Sequence, residues 1–460
     1  MSARRVWVAL PDQLSIRIFL ETGILDGLRA RLDERVAALF LVQPEEAAQW
    51  EARLAGTPVR HGNELTGDGR VTDRFLGRLD SWLDRQLGYH PLAIRLNYRH
   101  GFHLERMEKG HGNWMLDSAR AGLLPRWAPL ERGMERWHFS TRRHVPSRLL
   151  EAMRRECSAL VLSNVQPQSA VPYLVAARRL ELPVVAYVAS WDHTVGKGVI
   201  SPYCDRYVVQ NEVMREDLAH YHGIERERVD VTGWPQTDVF HERYPRSAYD
   251  ELVLAFGLDA SRPIVLVMGN TPTNTPYEHR FVERLVAWWE EEGRTRFQLL
   301  FRPHPRDREW RARFAGAMDR DGAYVQEPSF TDMTALATLL QHGDVVVANA
   351  GTILLDALVN DRPSVCVLYD EGAPTGTSWA AKNVVGKHYE ELAASGAFYR
   401  AESFEEVVAG IERALENPSE LAEARQRVVT EVVGDVDGRA AERVVDAMVG
   451  VLQASATMPS

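Results

Sequence analysis

Cysteine is scarce in this chain. Three residues among 460, Cys157, Cys204 and Cys366, are too few and too scattered for a disulfide framework or a cysteine-based zinc cluster. They read as reduced thiols, so a cytoplasmic location is expected. Long apolar runs are missing as well. The uncharged stretch Cys157–Ala177 is broken by Asn164, Gln166, Pro167, Gln168 and Pro172 and cannot cross a bilayer as a helix. Val6–Pro11 is too short for the apolar core of an export signal and meets Asp12 at once. Positive charge is in deficit: 54 Lys+Arg against 64 Asp+Glu leave a formal charge of −10. A bulk nucleic-acid binder shows the opposite balance, so no nucleic-acid partner is expected. With 45% hydrophobic and 26% charged residues, a collagen-like or largely disordered chain is excluded.

What the chain does contain is a strand–helix rhythm. Arg5–Pro11, Val36–Val42, Ala159–Ser163, Val184–Ser190, Arg206–Gln210 and Val229–Thr232 read as short β-rich runs. Helical patterns at Pro44–Leu54, Ala170–Leu180 and Asn211–His222 fall between them. A second series starts with Pro263–Gly269 and continues through Phe297–Arg302, Tyr324–Gln326, Asp344–Ala348 and Ser364–Leu368, with one helix read over Glu309–Met318. Short strands alternating with helices favour parallel sheets. The fold class expected is α/β, with two Rossmann-like doubly wound parallel-sheet domains facing across a cleft. The domains are read as 1–242 on the acceptor side, 243–438 on the nucleotide-donor side, and 439–460 as a C-terminal helix and tail that dock back on the first domain. His241–Tyr249 reads as a linker before the helix Asp250–Phe256, and Val71–Leu87 reads as an amphipathic helix.

A basic insertion, 95–145, interrupts the first domain. Arg95–His144 carries ten Lys/Arg, five Asp/Glu and five His, with Trp114, Trp127 and Trp137 among them. It is read as the side that meets the acceptor, and it leaves a peripheral membrane contact open.

Doubly wound sheets bind ligands at the carboxyl ends of their strands, and three loops of the second series fall there. They are Gly269-Asn-Thr-Pro-Thr-Asn-Thr-Pro276, Arg302-Pro-His-Pro-Arg306 and Ala348-Asn-Ala-Gly-Thr352. Asn349, Ala350, Gly351 and Thr352 open a helix whose free backbone N–H groups suit a phosphate. Arg302 and Arg306 bring fixed charge, Asn270 and Thr271 add polar contacts, and Asp356, one turn into the helix, is placed to reach a ribose hydroxyl. Taken singly each is an ordinary cap, turn or surface residue; three such loops on one rim favour a diphosphate site.

In the first series Ser190-Trp-Asp-His-Thr-Val-Gly-Lys-Gly198 follows a strand. Asp192 or His193 can take a proton from a hydroxyl nucleophile, and Lys197 can draw an anion. No metal site is assigned: Asp319-Arg-Asp321 and Asp435-Val-Asp437 sit in helix-end and helical surroundings.

Together with Val231-Thr-Gly-Trp-Pro-Gln-Thr-Asp238 and Asn349-Ala-Gly-Thr-Ile-Leu-Leu-Asp356, these motifs resemble the GT-B glycosyltransferase superfamily. The nearest flavour is the capsule and teichoic-acid type, which includes CDP-glycerol glycerophosphotransferases, over roughly residues 158–370. The resemblance implies a donor held by the C-terminal half, a catalytic turn at Asp192–Lys197 and donor-phosphate contact by His304. It implies a metal-independent glycosyltransferase of bacterial polysaccharide or glycoconjugate synthesis, using a nucleotide-activated sugar donor and a hydroxyl acceptor (glycan, lipid-linked or small molecule) and no other cofactor. The alternatives are a glycerophosphotransferase with a CDP-alditol donor, a UDP-sugar 2-epimerase-like isomerase, and a non-catalytic nucleotide-sugar-binding partner. Asn349-Ala-Gly-Thr replaces the epimerases' Gly-Gly-Gln-Glu-Glu pattern and counts against isomerisation.

Overall fold

A computed structural model describes residues 4–54, 56–66, 136, 138–196, 200–374, 380, 384 and 387–456. The expected helix 71–87, nearly all of the basic insertion and Lys197 lie outside the described residues. The chain forms two compact units: residues 1–236 with 439–460, and residues 237–438.

The first unit is built on seven parallel strands: β1 Arg5–Leu10, β2 Val36–Phe40, β3 Val59–His61, β4 Cys157–Leu162, β5 Val184–Tyr187, β6 Arg206–Val209 and β7 Val229–Val231. Their order is β3-β2-β1-β4-β5-β6-β7. Val6–Leu10 of β1, β2 and β5 are apolar at every position, as strands covered on both faces must be. The direction of winding reverses between β1 and β4, and the loops after these strands flank the crevice there. Helix α1, Gln13–Glu21, starts directly after β1, capped by Asp12, whose Oδ1 accepts from Ser15 N. Helix α2 is Ile24–Arg31. The C-terminal helix, Ala440–Ala456, packs on α2, where Gly27 leaves room for Val445.

The second unit repeats the plan with β8 Ile264–Met268, β9 Gln298–Arg302, β10 Ala323–Val325, β11 Val345–Ala348, β12 Ser364–Val367 and β13 Tyr399–Ala401. All pairs are parallel and the order is β10-β9-β8-β11-β12-β13, reversing between β8 and β11. Val265, Val267, Leu299, Phe301, Val345 and Val347 point into one buried layer closed by Phe281, Leu285, Trp289 and Phe314. Each of these is at most 6% exposed.

Two expectations need correction. The stretch His241–Tyr249 is not wholly a linker, because a helix runs Arg246–Ala255. Pro245 presets the backbone angle at its start and lacks only an N–H that no helix start uses. The single helix expected over Glu309–Met318 is two short pieces, Trp310–Arg313 and a 3₁₀ turn Ala315–Ala317. Among the described residues no helix is long and apolar enough to cross a membrane.

Candidate active site

In the second unit the loops after β8 and β11 meet at the reversal point. Asn270, two residues past β8, donates from Nδ2 to Asn349 Oδ1 and to the carbonyl of Ala350, both at 3.2 Å. Asn349 in turn donates to the carbonyls of Val367 at 2.7 Å and Ala380 at 3.1 Å. Two asparagines thus fasten the ends of β8, β11 and β12 to one another. The Asn270 side-chain oxygen accepts from Thr271 N at 2.7 Å, a local turn that sets Thr271 on the rim.

Gly351 caps the helix Thr352–Val359 without a side-chain hydrogen bond; the Leu354 N–H turns back to the Gly351 carbonyl at 3.1 Å, and the N–H groups before it are ones that no turn of the helix itself can satisfy. Its φ of −173° is extended backbone open to any residue. A Cβ there would come no nearer than 3.8 Å to Asn270 Nδ2 or Asn349 O. Glycine is therefore not required by the described part of the fold at this position, and among the described residues nothing crowds the space above it. Gly269 differs. A Cβ on it would meet Pro303 Cα at 3.1 Å and His304 N at 3.2 Å, so its bareness lets the β8 loop lie against the His-Pro turn. Below these loops a cavity of about 30 Å3 is lined by Val267, Phe281, Phe314, Val347 and Tyr369. It has room for about two water molecules, so anything larger would have to lie on the rim rather than inside it.

The remaining candidates sort by exposure. Arg306 is exposed. Its backbone N–H donates to His304 Nδ1 at 3.0 Å, which puts the proton of a neutral His304 on Nε2. Arg302 is committed elsewhere: it pairs with Asp332 at 2.7 Å and donates to Gln326 at 2.6 Å, with its side chain 11% exposed. Asp356 is 4% exposed and lies inside the unit, not on the rim where it could reach a ribose. Its helix, Thr-Ile-Leu-Leu-Asp-Ala-Leu-Val, is apolar on nearly every side, and a helix of that kind is buried all round.

Charges that sequence reasoning did not select sit beneath the rim. Arg313 binds Asp307 at 2.5 Å, Glu278 at 3.1 Å and the carbonyl of Thr275 at 2.9 Å. Glu278 also accepts from Asn270 N at 2.9 Å. Burial pushes the Glu278 carboxyl up to about 7, against the opposing pull of Arg313.

In the first unit the loop after β5 is closely tied. Ser190 donates its hydroxyl to Asp192 Oδ1 at 2.5 Å, and the same oxygen lies 3.9 Å from His193 Nε2. His193 is 7% exposed and opens a single helical turn to Gly196. Gln166 donates to the His193 carbonyl at 3.1 Å. Its N–H reaches Asn164 Oδ1, and Asn164 reaches Asp12 Oδ2 at 2.8 Å. A chain of hydrogen bonds therefore runs from the β1/β4 reversal point to the backbone carbonyl of His193. The turn after β7 is held by Arg443, which donates to the Thr232 carbonyl, and by Gly233, whose φ of +83° favours glycine. Among the described residues no group of three or more His, Cys, Asp or Glu is gathered as a metal ion would need.

Residues 199–450, more than half of the chain, match the family model described as CDP-Glycerol:Poly(glycerophosphate) glycerophosphotransferase. The chain belongs to this family. The glycerophosphotransferase match starts just after the β5 loop and spans every candidate residue of the second unit. No curated protein shows a significant sequence match. Among solved structures, the S. aureus MnaA–UDP co-structure is 10% identical, with 100% of this chain and 99% of that one covered and a TM-score of 0.54. UDP-GlcNAc 2-epimerase from Neisseria meningitidis bound to UDP-GlcNAc is 9% identical over 97% and 100%, with a TM-score of 0.57. The wall teichoic acid polymerase TagF is 12% identical over 65% and 74%, with a TM-score of 0.45. At such identities the first two neighbours establish the fold, two Rossmann-like parallel-sheet domains of the GT-B kind, and the family rests on the sequence match.

Proposed function

We propose that this glycerophosphotransferase-family enzyme transfers a polyol phosphate from a CDP-activated donor to an acceptor hydroxyl. The observation that carries the reading is the family match over residues 199–450. The open rim at Asn270, Gly351, Thr352 and Arg306, with a helix start that has no side-chain cap, supports it. In this reading the acceptor hydroxyl, losing its proton to Asp192 or His193, bonds to the donor phosphorus that carries the polyol. The bond from that phosphorus to the bridging oxygen breaks and CMP leaves. The helix start at Thr352, His304 and Arg306 meet the charge that develops on the departing nucleotide. No metal is given a part.

Glycosyl transfer from a nucleotide sugar is the second reading, favoured by the same open rim, which suits any nucleoside diphosphate. The two differ in the nucleotide released. Incubation with CDP-glycerol, CDP-ribitol, UDP-GlcNAc and UDP-glucose in the presence of glycerophosphate oligomers should give CMP from a CDP-polyol. UDP release from a UDP-sugar would replace the proposal with glycosyl transfer, and a nucleotide-sugar epimer formed without acceptor would replace it with isomerisation.

A further inference from the structure

Glu278, Arg313 and Asp307 form a charged cluster sealed from water, with side chains 10%, 9% and 0% exposed. Burying such a group carries a desolvation cost that its pairing only partly returns, so its value must be sought in what it holds. Each bond of Arg313 ends on a different segment. Thr275 belongs to the loop after β8, Glu278 starts the helix Glu278–Trp288, and Asp307 belongs to the turn after β9. Through these partners the cluster reaches the rim from both sides. Glu278 Oε1 accepts from Asn270 N at 2.9 Å, and Asp307 N donates to the His304 carbonyl at 2.8 Å. The two loops also touch directly at Gly269 against Pro303 and His304.

We propose that Arg313, through Glu278 and Asp307, is a positioning residue that locks the Asn270–Thr271 loop to the His304–Arg306 turn, so that both move and bind as one piece. As a contribution to donor recognition this rests on the donor-site reading above. The lock itself does not.

Protonation of Glu278 should loosen it. The ionised carboxylate accepts from Asn270 N–H and from Arg313 together, whereas a protonated one carries a hydrogen toward one of these donors and gives it up. With burial holding this carboxyl near 7, the lock tightens as pH rises through that value. The groups facing Glu278 are Arg313 and Asp307, and Tyr369, Asp370 and Glu371 line the same cavity. A protonated His304 would favour a phosphate at low pH, which is the opposite sign.

Amide hydrogen exchange of the donor-free protein tests the lock. In Arg313→Met, residues 269–276 and 303–309 should exchange faster together, while the first unit keeps its rates. Unchanged exchange in either loop overturns the proposal, and Arg313→Lys serves the same comparison if the methionine variant does not fold. Calorimetry with CDP-glycerol, whose two phosphates have no ionisation near neutrality, tests the consequence. At pH 8 Glu278→Gln should bind on the order of tenfold more weakly than wild type, and this gap should close as pH falls below about 7. A gap that is absent, or that persists unchanged at low pH, also overturns the proposal. Wild-type protein that binds no nucleotide donor would sink the donor-site reading instead, and the exchange measurement would still decide the lock.

Discussion

His222 donates from Nε2 to the carbonyl of Thr194 at 2.8 Å, because its Nδ1 is already taken by the N–H of Ile200 at 2.9 Å. One neutral imidazole thus bridges the two sides of the loop that carries Asp192 and His193. A neighbour on the same helix, Asp217, accepts from the Thr194 hydroxyl at 2.7 Å. Replacing His222 with leucine leaves the buried Ile200 N–H without its acceptor, at a cost of about 1–3 kcal/mol. His222→Leu should therefore lower the urea midpoint and reduce turnover while nucleotide affinity holds. Equal losses in turnover and nucleotide affinity would refute this role.

Asp192→Asn and His193→Gln separate chemistry from binding. Removing a general base costs on the order of 10²–10⁴ in turnover, whereas affinity for the donor nucleotide should stay within a factor of about two, as expected of side chains that do not contact it. Steady-state rates together with calorimetry check both halves. Unchanged turnover in both single variants would remove the proton acceptor from this loop.

Two glycines make a contrasting pair. Gly351→Val places a side chain where the backbone tolerates one and where no described atom lies within 3.8 Å of the Cβ position. Its melting temperature should match wild type while donor affinity falls by on the order of tenfold or more, because the branched chain fills the space a phosphate needs. Gly269→Ala should do the reverse. Its Cβ meets backbone at 3.1 Å and 3.2 Å, and overpacking of that kind costs about 1–3 kcal/mol, visible first in the thermal midpoint.

Burial holds the thiols of Cys157, Cys204 and Cys366 up at about 12, and all three are buried and free. The thiolate is the reactive form. Maleimide at pH 7 should leave the folded protein unlabelled and add three labels after denaturation, counted by intact mass. Labelling of the folded protein at any of the three would contradict their burial.

Much of the architecture was legible because strand signals are local. Ile264–Met268 lies within the apolar run Pro263–Gly269, Gln298–Arg302 within Phe297–Arg302 and Val345–Ala348 within Asp344–Ala348, so the three loops on one rim could be located from sequence. What they do there depends on partners far along the chain. Arg302 looks like a free cation in sequence, and only folding sets Asp332 against it, 30 residues on. Arg313 lies 35 residues from Glu278, and Asn164 lies 152 from Asp12; no local pattern marks either pair. The burial of Asp356 left a trace that could have been read: an acidic residue with apolar neighbours on all sides of a short helix is an interior residue, not a rim one. The helix read from Asp250 starts four residues earlier, at Arg246, because its first turn was hidden in a polar, proline-bearing lead-in.

Because Val444, Val445, Met448 and Leu452 are buried at 5% exposure or less, and their helix belongs to the first unit, that unit is stitched from two distant pieces of chain. The second is an interruption in it. A polypeptide emerging from the ribosome cannot complete the earlier module until the later one has been synthesised. A fragment stopped at Gln236 would leave α2 uncovered at Gly27, a greasy seam inviting self-association.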